Sequence, residues 1–435
     1  MTAQVAILNR SAVALASDSA VTVQGARTNV YQTVNKVFTL SKYAPVGVMV
    51  YGSATIMGVP WESVVKVFRG SLGKTRFDTL DEYGHRFFEF LGQNDMLFPE
   101  RAQREFVAGR AKDFASDLVE EIKKTTETRI EQDRPLPETD VPSIVASIIH
   151  KYHELWSQRG RLGWFGEGAE AAIATKFDAE ISGALAVLQH LPLSETDRTR
   201  FRETVAMFFV RDHFLNPHSG VVLAGFGESQ IFPAVNEYIV ECVVDGRAKH
   251  TKKSRQTLQE HDGSMILAFA QQHMAESFVA GVHPEFREFI RSYLGKVFGE
   301  HHRAILEGLA DIKPAVKAEI EKRVQAVGQA LLVDLDKAAT EYSRLKHIAP
   351  KLETVAVLPK QELAEMAEAL VNLASFERRI SGEAETVGGP IDVAVISPGD
   401  GFVWIKRKHY FKAELNPHFF SNYFRERDEE TDAHD

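Results

Sequence analysis

Apolar positions follow two different periods along this chain. From Ala3 to Ser53 they come in short runs that read as strands: Ala3–Leu8 and Ala12–Ser17, separated by the hairpin signal Asn9-Arg10-Ser11. Both alternating sets are apolar, Val5 and Ile7 on one side, Ala6 and Leu8 on the other. A strand apolar on both faces needs cover on both faces, which places it between two layers. Val37–Leu40 and Val46–Tyr51 give a second strand pair around a Lys42–Pro45 turn, and a helix is predicted over Ala54–Phe68.

From about Thr79 to Leu215 the period becomes helical. Phe87, Phe88, Phe90 and Leu91 form one stripe, Phe114, Leu118 and Ile122 another, and Ile144, Ile148, Ile149 and Tyr152 a third. Pro135-Leu136-Pro137 and the glycine-rich Gly160–Gly168 interrupt it. Strands resume at Gly220–Phe226, Asn236–Val244 with an Asp245-Gly246 turn, and Ser264–Phe269. Helices return from His273, including a charged stretch from about Lys313 to Lys346 that reads as a coiled hairpin arm. Gln361–Arg379 is amphipathic, with Leu363, Met366, Leu370, Val371 and Leu373 as its stripe. The pattern closes on a hairpin, Ile391–Ile396, Pro398-Gly399-Asp400-Gly401 and Phe402–Lys406. This order predicts an α+β fold with sheets inside and helices outside. The strands from both ends of the chain are expected in one two-sheet sandwich, with Ala54–Phe68 and Gln361–Arg379 on its outside.

Composition narrows the partners. The 435 residues are 44% hydrophobic and carry a formal net charge of −9. The basic runs Lys249–Lys253 and Lys406–Lys408 are short and read as solvated strand ends, so no nucleic-acid surface is expected. No apolar run reaches membrane-spanning length, and the N-terminus lacks the basic region of a signal peptide. The single cysteine, Cys242, sits in an apolar strand and reads as a buried, inert thiol. A cytoplasmic location is the expectation. The charge run Arg425–Asp435 reads as a solvated tail.

Candidate chemistry begins at Met1-Thr2. A small second residue suits removal of the initiator methionine, which would leave Thr2 with a hydroxyl and a free α-amine. An α-amine titrates at about 7.7–8.0 and can accept the hydroxyl proton near neutral pH. Three downstream features give this start a context: Asp18 in Leu15-Ala16-Ser17-Asp18-Ser19, Lys36 in Asn35-Lys36-Val37-Phe38, and the strand-to-turn run Val48-Met49-Val50-Tyr51-Gly52-Ser53-Ala54. Asp18 and Lys36 also read as a structural ion pair, and Gly52 as a turn into the helix.

Together these segments resemble the start of proteasome β-subunits and their bacterial relatives. Gly388-Gly389-Pro390 and the strands after it resemble that family's closing strand pair, and Gly220–Phe226 with Glu237–Val244 its middle strands. The resemblance covers about half the chain. It implies the N-terminal-nucleophile (Ntn) hydrolase fold, a four-layer αββα sandwich with large helical insertions. Its core would span 1–78, 216–270 and 359–411. Helical insertions would fill 79–215 and 271–358, and 412–435 would be a tail. It implies Thr2 as nucleophile, Lys36 as the charge beside its hydroxyl, Asp18 as the partner of Lys36, and Gly52 as an oxyanion donor. The implied reaction is hydrolysis of a peptide or other amide, with no cofactor or metal. The implied assembly is a homo-oligomer, a ring in that family, with projecting helices as contacts or cap. A separate ATPase could feed it, since this chain carries no ATPase motif.

The chain also departs from the family. An Asp and a Ser normally precede the closing Gly-Gly and support the N-terminal amine; Ala384 and Val387 stand there, with Ser381 and Glu385 displaced. Gln271 follows the middle strands in place of the usual small residue. The rival reading is a catalytically silent proteasome-like scaffold. Other motifs fail: Phe68 replaces the first glycine of a P-loop ending at Lys74-Thr75, and Gln230 replaces the last glycine of a dinucleotide loop. His150, His153 and Glu154 share a helix face without zincin spacing. His301-His302 reads as a solvated helix start.

Overall fold

The computed structural model describes residues 2–23, 29–31, 33–132, 140–259, 263–270, 273–308, 313–380, 388–409, 411–418 and 421. Ser381, Ala384, Glu385, Val387, Gln271 and the 425–435 tail lie outside these residues.

The fold is mixed α+β, built on two five-stranded antiparallel sheets. The first contains β1 (Ala3–Asn9) and β2 (Ala12–Ser17) at its centre. Two short strands, β3 (Val21–Val23) and β4 (Asn29–Tyr31), pair as a separate ribbon. The second sheet starts with β5 (Val37–Thr39) and β6 (Val46–Gly52). A ribbon of β7 (Thr55–Ile56) and β8 (Val59–Pro60) follows. The second sheet is completed by β9 (Ser219–Gly225), β10 (Ala234–Val244) and β11 (Arg247–Thr257), in the order β11-β10-β9-β6-β5. The first sheet takes β12 (Ser264–Ala270), β13 (Asp392–Ser397) and β14 (Gly401–Lys406), in the order β12-β1-β2-β13-β14. Val13 pairs with Ile396, so the two ends of the chain meet in one sheet.

The double apolar alternation of β1 and β2 has a direct consequence in packing. Ala6, Leu8, Val13 and Leu15 face the second sheet and meet Met49, Val222, Ala224 and Val235 there. Val5, Ile7, Ala14 and Ala16 face α12 (Lys360–Ile380), whose Leu363, Leu370 and Val371 cover them. The alanines of β2 let Ala364, Ala367 and Ala374 of α12 approach closely. Each buried leucine or isoleucine here contributes roughly 1.5–3 kcal/mol. The outer face of the second sheet, with Val48, Val50, Val221 and Tyr238, is covered by α1 (Trp61–Leu72) and α2 (Leu80–Gln93).

The first helix begins at Trp61, seven residues later than the pattern predicts. Met57 and Gly58 adopt positive φ (49° and 82°), which turns Thr55–Pro60 into a ribbon before the helix can start. The remaining helices of the 79–215 stretch, α3 (Glu100–Gln132), α4 (Val141–Ser157), α5 (Ala169–Lys176), α6 (Asp178–Ala184) and α7 (Glu195–Met207), enclose a hydrophobic core of their own. That core includes Cys242 and Val244 of β10, which join it to the sheet. Burial pushes the Cys242 thiol far above its ordinary range, so it stays protonated and unreactive.

On the opposite side, α8 (His273–Ala280), α9 (Pro284–Gly308), α10 (Pro314–Ser343) and α11 (Ala349–Val357) lead back to α12. α9 and α10 pack on each other as a hairpin arm. His302 lies inside α9 and is buried, which corrects its reading as a solvated helix start: it falls on the face turned into the arm. One lysine in each of the two basic runs is corrected in the same way, while Lys252, Lys253 and Lys406 are exposed as the sequence suggests. Lys249 is fully buried against Glu241, and the Lys408 side chain is mostly covered where it pairs with Asp392.

His250 of β11 lies between the rings of Phe88 and Trp164, with centroids 3.9 and 4.2 Å away. Burial pushes its pKa down to about 4, against a hydrogen bond to the Ala248 carbonyl and with help from nearby His85. The folded protein therefore withholds a proton that the unfolded chain accepts below about 6.5. Stability held above that pH is lost as pH falls towards 4, by at most about 3 kcal/mol. His250→Phe is expected to flatten this loss in urea melts run between those two pH values.

Candidate active site

Topology brings the candidate residues together before any side chain is considered. The register pairs Ala3 with Ala270, Gln4 with Ser17, and Ser17 with Asp392. The start of β1, the end of β2 and the approach to β13 therefore share one end of the first sheet. Lys36 immediately precedes β5 and Gly52 ends β6, at the matching end of the second sheet, where the Lys36 carbonyl accepts the Val50 N–H at 2.9 Å. Gln4 ties the two sheets together here, donating to Ser17 Oγ at 3.1 Å and to the Val50 carbonyl at 2.8 Å.

At this end Lys36 is the hub. Its ammonium donates to Thr2 Oγ1 at 2.9 Å, to Asp18 Oδ1 at 2.8 Å and to the Ala20 carbonyl at 2.5 Å. All three of its protons are thus used. Thr2 is 3% exposed, Asp18 1% and Lys36 4%. Burial lowers the Lys36 pKa, opposed by the charge and hydrogen bond of Asp18 and assisted slightly by Lys408. Asp18 is itself held by backbone. Its Oδ1 accepts the Ala3 N–H at 3.1 Å, and its Oδ2 accepts the N–H groups of Ala20 and Gly388, each at 3.2 Å. Ser19 extends this fastening, donating from its amide to the Gly388 carbonyl and from its hydroxyl to the Pro390 carbonyl. Neither Gln4 nor Ser19 stands out in sequence, although a glutamine inside the apolar run Ala3–Leu8 is a usable signal.

Thr2, Lys36 and Gly52 line one cavity, with Asn35, Val50, Tyr51, Ser53, Ala54 and Trp61 among its other walls; Asp18 stands behind Lys36. Its open volume is about 10 Å³, room for roughly one water. Gly52 has φ +78°, and a Cβ there would stand 2.6 Å from the His218 carbonyl oxygen. That oxygen accepts the Ser53 N–H at 3.1 Å and belongs to backbone that cannot easily yield. Gly52→Ala is expected to destabilise the protein by about 2 kcal/mol through the positive φ and the close approach. A thermal or urea melt showing a wild-type midpoint would contradict this.

Chemically, the arrangement offers a hydroxyl polarised by a buried cation, with no metal needed for that effect. Among the described residues, no group of three or more His, Cys, Asp or Glu side chains could hold a metal ion. His153 instead pairs with Glu203 at 2.8 Å. Among the described residues, no helix is long and apolar enough to cross a membrane. No protein-family model matches the chain, and no curated protein matches it either.

Proposed function

We propose that this protein is an N-terminal-nucleophile hydrolase of the proteasome β-subunit type, an αββα sandwich that hydrolyses amide bonds with Thr2. The observation that carries this reading is the buried Lys36 ammonium shared between Thr2 Oγ1 and Asp18 Oδ1. A buried ammonium needs an acceptor for each of its three protons, and here one of them is the hydroxyl of the residue that would start the mature chain. The stacking of helix, sheet, sheet and helix around it agrees with the sandwich that the sequence resemblance implies.

The reaction needs a free α-amine at Thr2, hence cleavage of the Met1–Thr2 bond. That amine takes the hydroxyl proton as Thr2 Oγ1 attacks the substrate carbonyl carbon. Lys36 lowers the cost of negative charge on Oγ1, and the Gly52 N–H takes the role of donor to the oxyanion. The amine then passes its proton to the leaving nitrogen as the C–N bond breaks, leaving an ester on Thr2. Water, deprotonated by the same amine, attacks that ester; the acid product leaves and Oγ1 regains its proton. A peptide substrate, a homo-oligomeric ring and a separate ATPase belong to the same proposal.

The alternative, a silent scaffold, is favoured by one observation: the cavity beside Thr2 admits only about one water. A panel of fluorogenic peptidyl amides separates the two. Turnover that disappears after treatment with a β-lactone, which acylates Thr2, supports the hydrolase. No turnover of any member by protein that begins at Thr2 supports the scaffold.

A further inference from the structure

The turn that carries Gly52 is held from one side by the segment Phe208–Ser219, the return path from the helical insertion to β9. Ser53 donates to the His218 carbonyl at 3.1 Å, the Ser219 hydroxyl donates to the Ser53 carbonyl at 3.0 Å, and Trp61 Nε1 donates to Ser219 Oγ at 2.9 Å. The position of the Gly52 turn therefore follows the position of His218 and Ser219.

That return segment has little regular structure of its own between Phe208 and Ser219, so its carbonyls need other partners. Two buried cations supply them, and a buried carboxylate takes one of the segment's N–H groups. Lys249 of β11, fully buried, donates to the carbonyls of Phe208 and His213, the latter at 2.6 Å, and pairs with Glu241 Oε2 at 2.7 Å. Glu241 of β10 accepts the Leu215 N–H at 3.2 Å. Arg110, in the middle of α3, donates to the Asn216 carbonyl at 2.6 Å and the Pro217 carbonyl at 3.4 Å, and its guanidinium lies 3.4 Å from Glu241 Oε1. Arg110 is thus the only one of the three contributed by the insertion, and it grips the two residues just before His218.

Three charges taken out of water are an expensive way to hold a loop, since an apolar anchor would avoid the desolvation cost. Their benefit is directional: they fix the carbonyls of a particular backbone path. We infer that Arg110, seated on Glu241, is a positioning residue through which the helical insertion sets the Gly52 turn, so that the packing of the insertion controls how well the site stabilises an oxyanion. The part concerning catalysis rests on the hydrolase reading above; the mechanical coupling does not.

The test uses Arg110→Ala, which leaves Glu241 paired with Lys249, and Arg110→Lys, which can still reach one carbonyl. Hydrogen exchange is followed at peptides covering 46–56 and, as a reference, 363–374 of α12. Arg110→Ala is expected to speed exchange about tenfold at 46–56 with the reference unchanged, and Arg110→Lys to restore part of the protection. Where the wild type reacts with a threonine-directed electrophile, Arg110→Ala should lower the maximal labelling rate by about 10- to 100-fold, while the reversible binding constant changes far less. Unchanged exchange at 46–56 overturns the coupling, whether or not the site labels. Exchange that rises equally at the reference also overturns it, since Arg110 is then only a stabiliser of the whole fold. If Arg110→Ala does not fold, Arg110→Lys alone decides by the same comparison of 46–56 with 363–374. A wild type that is never labelled removes the hydrolase reading and leaves the exchange result to judge the coupling.

Discussion

Lys36→Ala is expected to lower turnover by about 10³-fold and to destabilise the fold by about 3 kcal/mol. The rate effect follows from removing a buried positive charge 2.9 Å from Thr2 Oγ1, the oxygen proposed to attack, where the surroundings screen it weakly. The stability effect follows from Asp18, whose carboxylate would remain buried without its counter-charge. Its hydrogen bonds from Ala3, Ala20 and Gly388 soften that penalty without removing it. The two effects separate in the double variant Lys36→Met with Asp18→Asn. Stability should return in part there, because no charge is left unpaired although Asn offers one acceptor oxygen where the carboxylate offers two, while turnover should not. Steady-state kinetics beside urea melts read both. A Lys36→Ala protein that melts early yet turns over substrate at the wild-type rate would make the pair structural and favour the scaffold.

Thr2→Ala should eliminate turnover and covalent labelling altogether, at a stability cost of about 1 kcal/mol for the lost hydrogen bond with Lys36. Thr2→Ser keeps both hydroxyl and amine and should retain measurable turnover. Retention of full activity by Thr2→Ala would exclude this residue from the chemistry. Rate and melting measurements on the same preparations distinguish a missing nucleophile from a misfolded site.

Much of this arrangement is legible from the sequence, for reasons that can be named. The double alternation in Val5–Leu8 and Ala12–Ala16 demands two covering layers, and the second sheet and α12 supply them. The stripe Leu363, Leu370 and Val371 identifies the helix that covers one side. Asp18 and Lys36 announce themselves as charges at the ends of apolar strands. What escapes notice depends on long-range placement. Lys249 looks like part of a solvated basic run, because nothing local reveals that Glu241 and the carbonyls of Phe208 and His213 surround it. Lys408 is hidden for the same reason, its partner Asp392 lying across a strand pair. The late start of α1 turns on the backbone of Met57 and Gly58, where a non-glycine residue takes up a positive φ that no composition rule flags. The fastening of Asp18 by the Gly388 amide joins residues at opposite ends of the chain.

The central claim is that Thr2 acts through its own hydroxyl and amine. The most direct test is intact-protein mass spectrometry before and after treatment with a peptidyl epoxyketone, which needs both groups on one residue to close its ring. The account predicts a chain that begins at Thr2 and gains a single adduct, absent from Thr2→Ala and slowed in Lys36→Ala. A chain that keeps Met1 and gains no adduct would contradict it.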